Sequence, residues 1–226
     1  FNLKKDPWDV YDYLSDTATR YHLNCILFFL VGDNSDKDRN LDYKNPQMKS
    51  LLKKAMRFCE IGLHPSFLSN AFPYKFAIEK KRLEKISEIQ ITKSRQHFLK
   101  FTMPNTYIHL ISAGITEDYS MGFPEMPGFR AGTSHPFYFF DLKNEQSTQL
   151  TLFPVTCMNV TFMNYLQMSP EDTLQNMLKL ATEVKKVNGT FISIWHNDSL
   201  FKESSTKNWH WVHDEVAAWL GKEIPE

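Results

Sequence analysis

Short apolar runs alternate with amphipathic segments along this chain. Asp6-Pro7 reads as a helix start, with an aspartate cap and proline in the first turn, and Val10, Tyr13, Leu14 and Thr17 share a face to about residue 21. Residues 24–32 are apolar throughout and close on Gly-Asp, the pattern of a strand covered on both faces of a parallel sheet. The unit recurs. A helix is predicted over 46–58 (Met48, Leu51, Leu52, Ala55, Met56), a strand over 60–64 and a helix over 76–86 with Ile78 and Leu83 inside. The run of alternating charge from Glu79 to Glu88 reads as the solvated face of that helix. An extended stretch over 92–98 leads to a helix near Pro104, and Gly122, Pro124, Pro127, Gly128, Gly132 and Pro136 make 119–141 loop and hairpin. A strand over 150–157, a helix from the Ser169 cap to Val187, a strand over 190–195 and a helix over 209–220 complete the chain.

Strands alternating with helices over this length predict an α/β fold with parallel strands, and a (β/α) barrel is the preferred arrangement. No linker or repeat divides residues 1–226, so a single domain is expected. The chain starts at Phe1 without a methionine and runs directly into a helix signal, which reads as a domain incomplete at its N-terminal edge.

Composition narrows the function. Lysine plus arginine number 26 and aspartate plus glutamate 26, so no net field draws in nucleic acid or anionic lipid. The longest apolar run, 25–31, is too short to span a bilayer, so no membrane insertion is expected. Cys25, Cys59 and Cys157 form no C-x-x-C pair, and an odd, sparse count favours a reducing, cytoplasmic setting. No G-x-S-x-G elbow is present, which weighs against a serine hydrolase.

The candidate chemistry lies at strand ends. His64 and His196 each close an apolar strand and are followed by polar residues, and Arg95, His97 and Asp118 occupy similar positions. In α/β barrels the carboxyl ends of the strands carry the site because neighbouring loops converge there. His22, His109, His210 and His213 fall on predicted helices and read as packing or surface residues; His210 and His213 lack the glutamate of an H-E-x-x-H zinc motif. His135 precedes Pro136 in a loop and is a candidate for substrate contact. The aromatic loop 121–140, with Phe129 and Arg130, reads either as a cap on the core or as a cleft wall where rings stack on sugars and Arg130 meets an anionic group.

Five segments occur in order: Glu60-Ile-Gly-Leu-His-Pro-Ser66, Arg95-Gln-His-Phe-Leu99, Glu117-Asp-Tyr-Ser-Met-Gly122, Gly128-Phe-Arg-Ala-Gly-Thr133 and Ile194-Trp-His-Asn197. Together they resemble the polysaccharide deacetylase family with the NodB-homology fold, in a branch tied to bacterial surface polysaccharides. The resemblance implies a deformed (β/α) barrel and a hydrolase that removes acetyl groups from an N- or O-acetylated carbohydrate with a divalent metal, zinc by preference. It implies His64 as a metal ligand, Arg95 as the residue that holds a base carboxylate, His196 as the general acid and Asp118 as its partner. Two departures stand out. The aspartate-rich motif that supplies the base is absent, and Asp33 does not match it. Leu68 stands where a second metal histidine belongs; His97, or Ser66 or Ser69, could take its place. A carbohydrate-binding protein without catalysis is the alternative.

Overall fold

The computed structural model describes residues 6, 8–201 and 209–222 of the chain. Helix α1 (Tyr11–Arg20) leads into strand β1 (Ile26–Phe29), then α2 (Pro46–Ala55), β2 (Glu60–Leu63), α3 (Pro73–Ser87), β3 (Lys93–Ser94), α4 (Asn105–Ser112) and β4 (Glu117–Asp118). A hairpin of β5 (Phe137–Asp141) and β6 (Gln146–Leu152) follows, then β7 (Cys157–Met158), α5 (Pro170–Lys186), β8 (Ser193–Ile194) and α6 (Trp209–Lys222). Six strands form one sheet in the order β1-β2-β3-β4-β6-β5, parallel except for β5, while β7 and β8 pair in parallel separately. The α/β class with parallel strands is as expected. Among the described residues no ladder joins β8 back to β1.

Local chemistry accounts for the elements. The Asn45 side chain accepts the Gln47 N–H at 2.9 Å and Pro46 opens α2, whose Met48, Leu52 and Ala55 turn inward at helical spacing. Ser169 caps α5 by accepting the Asp172 N–H at 3.0 Å. Glu171 and Asp172 sit in its first turn, Lys185 and Lys186 in its last, and Thr173, Met177, Ala181 and Val184 face the core. One core cluster (Leu52, Leu63, Leu83, Tyr107, Leu150, Leu152) lies against the main sheet. A second (Phe162, Met177, Trp209, Val212, Val216) holds α5 and α6 against the β7–β8 end. Each fully buried large side chain contributes roughly 1.5–3 kcal/mol of transfer free energy.

Several expectations change. Asp6 accepts the Trp8 N–H in a turn, and the helix begins only at Tyr11. Strand β1 is half-buried at Ile26, Leu27 and Phe28 because it forms one edge of the sheet. The 150–157 stretch splits in two around Pro154, which has no N–H for a ladder. Ile78 is exposed. Glu79, assigned to the solvated face, is buried and accepts both the Ser66 N–H at 2.8 Å and the Ser66 hydroxyl at 2.6 Å. His22 follows α1 in the left-handed region, with φ 53°.

Candidate active site

Parallel strands present their carboxyl ends at one edge, and the chain leaves several of them through a polar residue. His64 follows β2 with its N–H on Phe29 O, and Arg95 follows β3 with its N–H on Leu63 O. Tyr119 and Ser120 follow β4, Asn159 follows β7 and His196 lies two residues past β8. The ladder thus sets His64, Arg95 and Tyr119 one strand apart at the same level, with Ser120 one residue further on, where it accepts the Gln96 N–H.

The imidazoles meet there. The His64 and His97 ring centroids are 4.8 Å apart, edge to face. His64 Nδ1 donates to Arg95 O at 2.5 Å, and His97 Nδ1 donates to Asp38 Oδ1 at 2.8 Å. Both bonds place a proton on Nδ1 and turn Nε2 away from these oxygens. Asp38 is fully buried and also accepts from Phe67 N at 2.8 Å and Ser35 Oγ at 2.9 Å. The His97 turn is strained: Phe98 and Leu99 both take left-handed backbone, φ 59° and 50°, and the His97 ring stacks on Phe98 at 4.4 Å. Such conformations cost about 1–3 kcal/mol each and persist where the surroundings hold them.

His196 is held by a closed network. Its Nδ1 donates to Asn159 Oδ1 at 2.8 Å, Asn159 Nδ2 donates to Ser199 Oγ at 2.7 Å, and Ser199 Oγ donates to His196 O at 2.7 Å. The Ser199 hydroxyl spends its proton on the carbonyl and must accept from the amide, which orients Asn159 and leaves His196 Nε2 bare. Burial, with the charges of Arg95 and His97, draws the His196 pKa down to about 4, so the ring is neutral at pH 7. Burial and the same two neighbours place His64 well below the usual histidine value, with a further contribution from His196. These mutual effects put His64, Arg95, His97 and His196 in one electrostatic neighbourhood. Arg95 itself lies over the Phe28 ring, 4.7 Å from its centroid, and burial brings its pKa to about 10.

No family model and no curated protein matches the chain. Solved structures do. A candidate polysaccharide deacetylase from Mycobacterium smegmatis superposes with a TM-score of 0.68 at 12% identity, over 95% of this chain and 71% of that one. IcaB from Ammonifex degensii aligns with a TM-score of 0.38 at 14% identity, over 50% of this chain and 55% of its own. The chain has the polysaccharide deacetylase fold.

On this deacetylase fold the structure redistributes the predicted roles. Asp118 does not bond to His196. It is fully buried, accepts from Ser94 Oγ at 2.7 Å and from Ser120 Oγ at 2.9 Å and N at 3.0 Å, and burial raises its pKa to about 6. Asn159, fully buried, is the partner of His196 instead. Arg95 faces an aromatic ring and has no carboxylate partner among the described residues. Ser66 and Ser69 are occupied, the first on Glu79 and the second on Ser66 O, so neither replaces a metal histidine. His97 does lie beside His64. Asp38 was missed because it follows β1 by a loop rather than ending it; its burial alone distinguishes it from Asp33, which is exposed and paired with Arg82.

For a zinc ion, the His64 and His97 Nε2 atoms are donors of the right kind, each with its Nδ1 anchored to an oxygen as metal-binding histidines require. The number falls short. Among the described residues no group of three or more His, Cys, Asp or Glu could hold a metal, and a catalytic zinc uses three protein ligands.

Arg130 lines a cleft beside this site together with Phe98 and Leu99, whereas Phe129 and His135 do not. Phe129 closes a turn by accepting the Gly132 N–H, and His135 is exposed, its N–H bonded to Thr133 Oγ1. On α6, His213 Nδ1 donates to Tyr13 Oη at 2.6 Å and His210 Nδ1 lies 3.2 Å from Asp214, so both serve packing. No described helix is long and apolar enough to cross a membrane.

Proposed function

We propose that the protein is a carbohydrate deacetylase that hydrolyses the acetyl amide or ester of an acetylated sugar. What carries this reading is the convergence of His64, Arg95, His97 and His196 at the carboxyl ends of parallel strands in a deacetylase fold. In the reaction, water adds to the acetyl carbonyl, the C–N or C–O bond breaks, and acetate and a free amine or hydroxyl leave. His196, neutral with a bare Nε2, accepts a proton from the attacking water and returns it to the departing nitrogen or oxygen. The Arg95 cation favours the negative charge that develops on the carbonyl oxygen. His64 and His97 would offer two of the ligands of a zinc ion, and such an ion would supply Lewis acidity to the carbonyl and lower the pKa of a bound water.

A carbohydrate-binding protein without catalysis is the second reading, and the two-imidazole donor set favours it. Acetate release from N-acetylglucosamine oligomers and from O-acetylated xylan, with full-length protein and added zinc, separates the two. Release that His196→Ala abolishes supports the enzyme. Sugar binding with no release from either substrate supports the binding protein.

A further inference from the structure

A cleft of about 470 Å³ opens beside the histidine pair, within the range of small-ligand sites. Phe67, Phe98, Phe101 and Phe123 line it with Tyr165, and so do three cations, Lys37, Lys100 and Arg130, against one carboxylate, Glu125. In a chain with equal numbers of acidic and basic residues this is a local excess of positive charge. None of the three cations forms an ion pair among the described residues. Two are set on ring faces instead: Lys100 Nζ lies 4.3 Å from the Phe67 centroid and Arg130 Cζ lies 4.2 Å from that of Phe101. A ring face orients a cation without neutralising it. Arg130 spends one N–H on Gly122 O at 3.2 Å, which leaves the rest of its donor fork for a ligand. Phe98 and Tyr165 are exposed, and Phe98 stacks against His97, so the cleft abuts the proposed reaction centre.

We propose that this cleft binds an acidic saccharide, with uronate carboxylates on Arg130, Lys100 and Lys37 and sugar rings over Phe98 and Tyr165. The proposal rests on the deacetylase reading for its orientation and names the substrate class of that site. A neutral chain would leave three charges beside the bound sugar without counter-ions.

Calorimetric titration of full-length protein with a galacturonate hexamer and with an N-acetylglucosamine hexamer tests it. The acidic oligomer should bind about tenfold more tightly at low salt, the sum of a few exposed charge contacts, and lose that advantage at high salt. Arg130→Gln with Lys100→Gln should abolish the preference while lowering the melting temperature by only a few degrees, since both side chains are exposed and the loss is one hydrogen bond to Gly122 O and two ring contacts. Equal affinity for the two oligomers overturns the proposal, and so does a preference that survives the double substitution. Acetate release with equal affinities would sink this proposal alone. A salt-sensitive acidic preference with no acetate release from any acetylated sugar would sink the deacetylase reading and leave the cleft assignment standing.

Discussion

His196 hands its Nδ1 proton to Asn159, 2.8 Å away, and not to Asp118. A neutral amide stabilises the imidazolium less than a carboxylate does, so the ring keeps the low pKa that burial imposes. Substituting Asn159→Asp puts a negative charge at that contact and raises the His196 pKa. The sign is definite: the neutral form, present above about pH 4 in the native protein, would be lost at a higher pH. The acidic limb of the rate–pH profile is expected to move up by about one to two units. A residue with only a structural role would change the rate without shifting that limb.

Gly62 permits the close approach of Phe28 across the β1–β2 ladder. A Cβ built there would lie 2.5 Å from the Phe28 ring, with Lys93 O at 3.2 Å on the other side. The same ring carries the Arg95 guanidinium. Gly62→Ala should therefore destabilise by about 1–3 kcal/mol in urea titration. It should also lower kcat through displaced Arg95, where a remote core change of equal cost would leave kcat untouched.

Glu79 holds the corner after β2 by accepting from both Ser66 N and Ser66 Oγ. Glu79→Ala leaves the buried Ser66 N–H without an acceptor, and a loss of about 1–3 kcal/mol is expected in chemical denaturation. Glu183→Ala, whose carboxylate on α5 makes only an exposed ion pair with Lys186, should cost less than half as much.

Stability should fall on mild acidification. His196 and His213 titrate at about 4 in the folded chain, and His64 also lies well below its usual 6.5. Between these values the unfolded chain binds protons that the folded chain refuses, so stability present above pH 6.5 is lost as the pH drops towards 4. Asp118 opposes this: its folded pKa of about 6 stands above the usual 3.8, so the folded state holds the extra proton there and gains as the pH falls. Melting temperatures from pH 7 to pH 5 should decline, and Asp118→Asn should make the decline steeper. A flat profile, or a shallower one in the variant, would contradict the assignment.

The acidic-saccharide cleft shows where sequence reading stops. Arg130 was legible as a cation in an aromatic loop, but Lys37 and Lys100 lie in segments far from it in the chain, and only folding gathers the three around one cavity. Phe129 and His135, the other substrate-contact candidates of the same loop, fall outside it.

The order of elements, the parallel sheet and the placement of His64, Arg95 and His196 at strand ends could be read from the sequence. Apolar periodicity and caps are local properties, and a strand that ends in a polar residue delivers it to the sheet edge whatever its neighbours are. Pairing across that edge is not local. Whether His196 meets Asp118 or Asn159, whether His97 leans on Asp38, and whether Glu79 faces water or Ser66 all depend on distances between segments that are not neighbours in the chain. Those distances are set by how the strands stack and the loops close. The tertiary structure alone decided them, and with them the hydrogen-bond partner of each site imidazole.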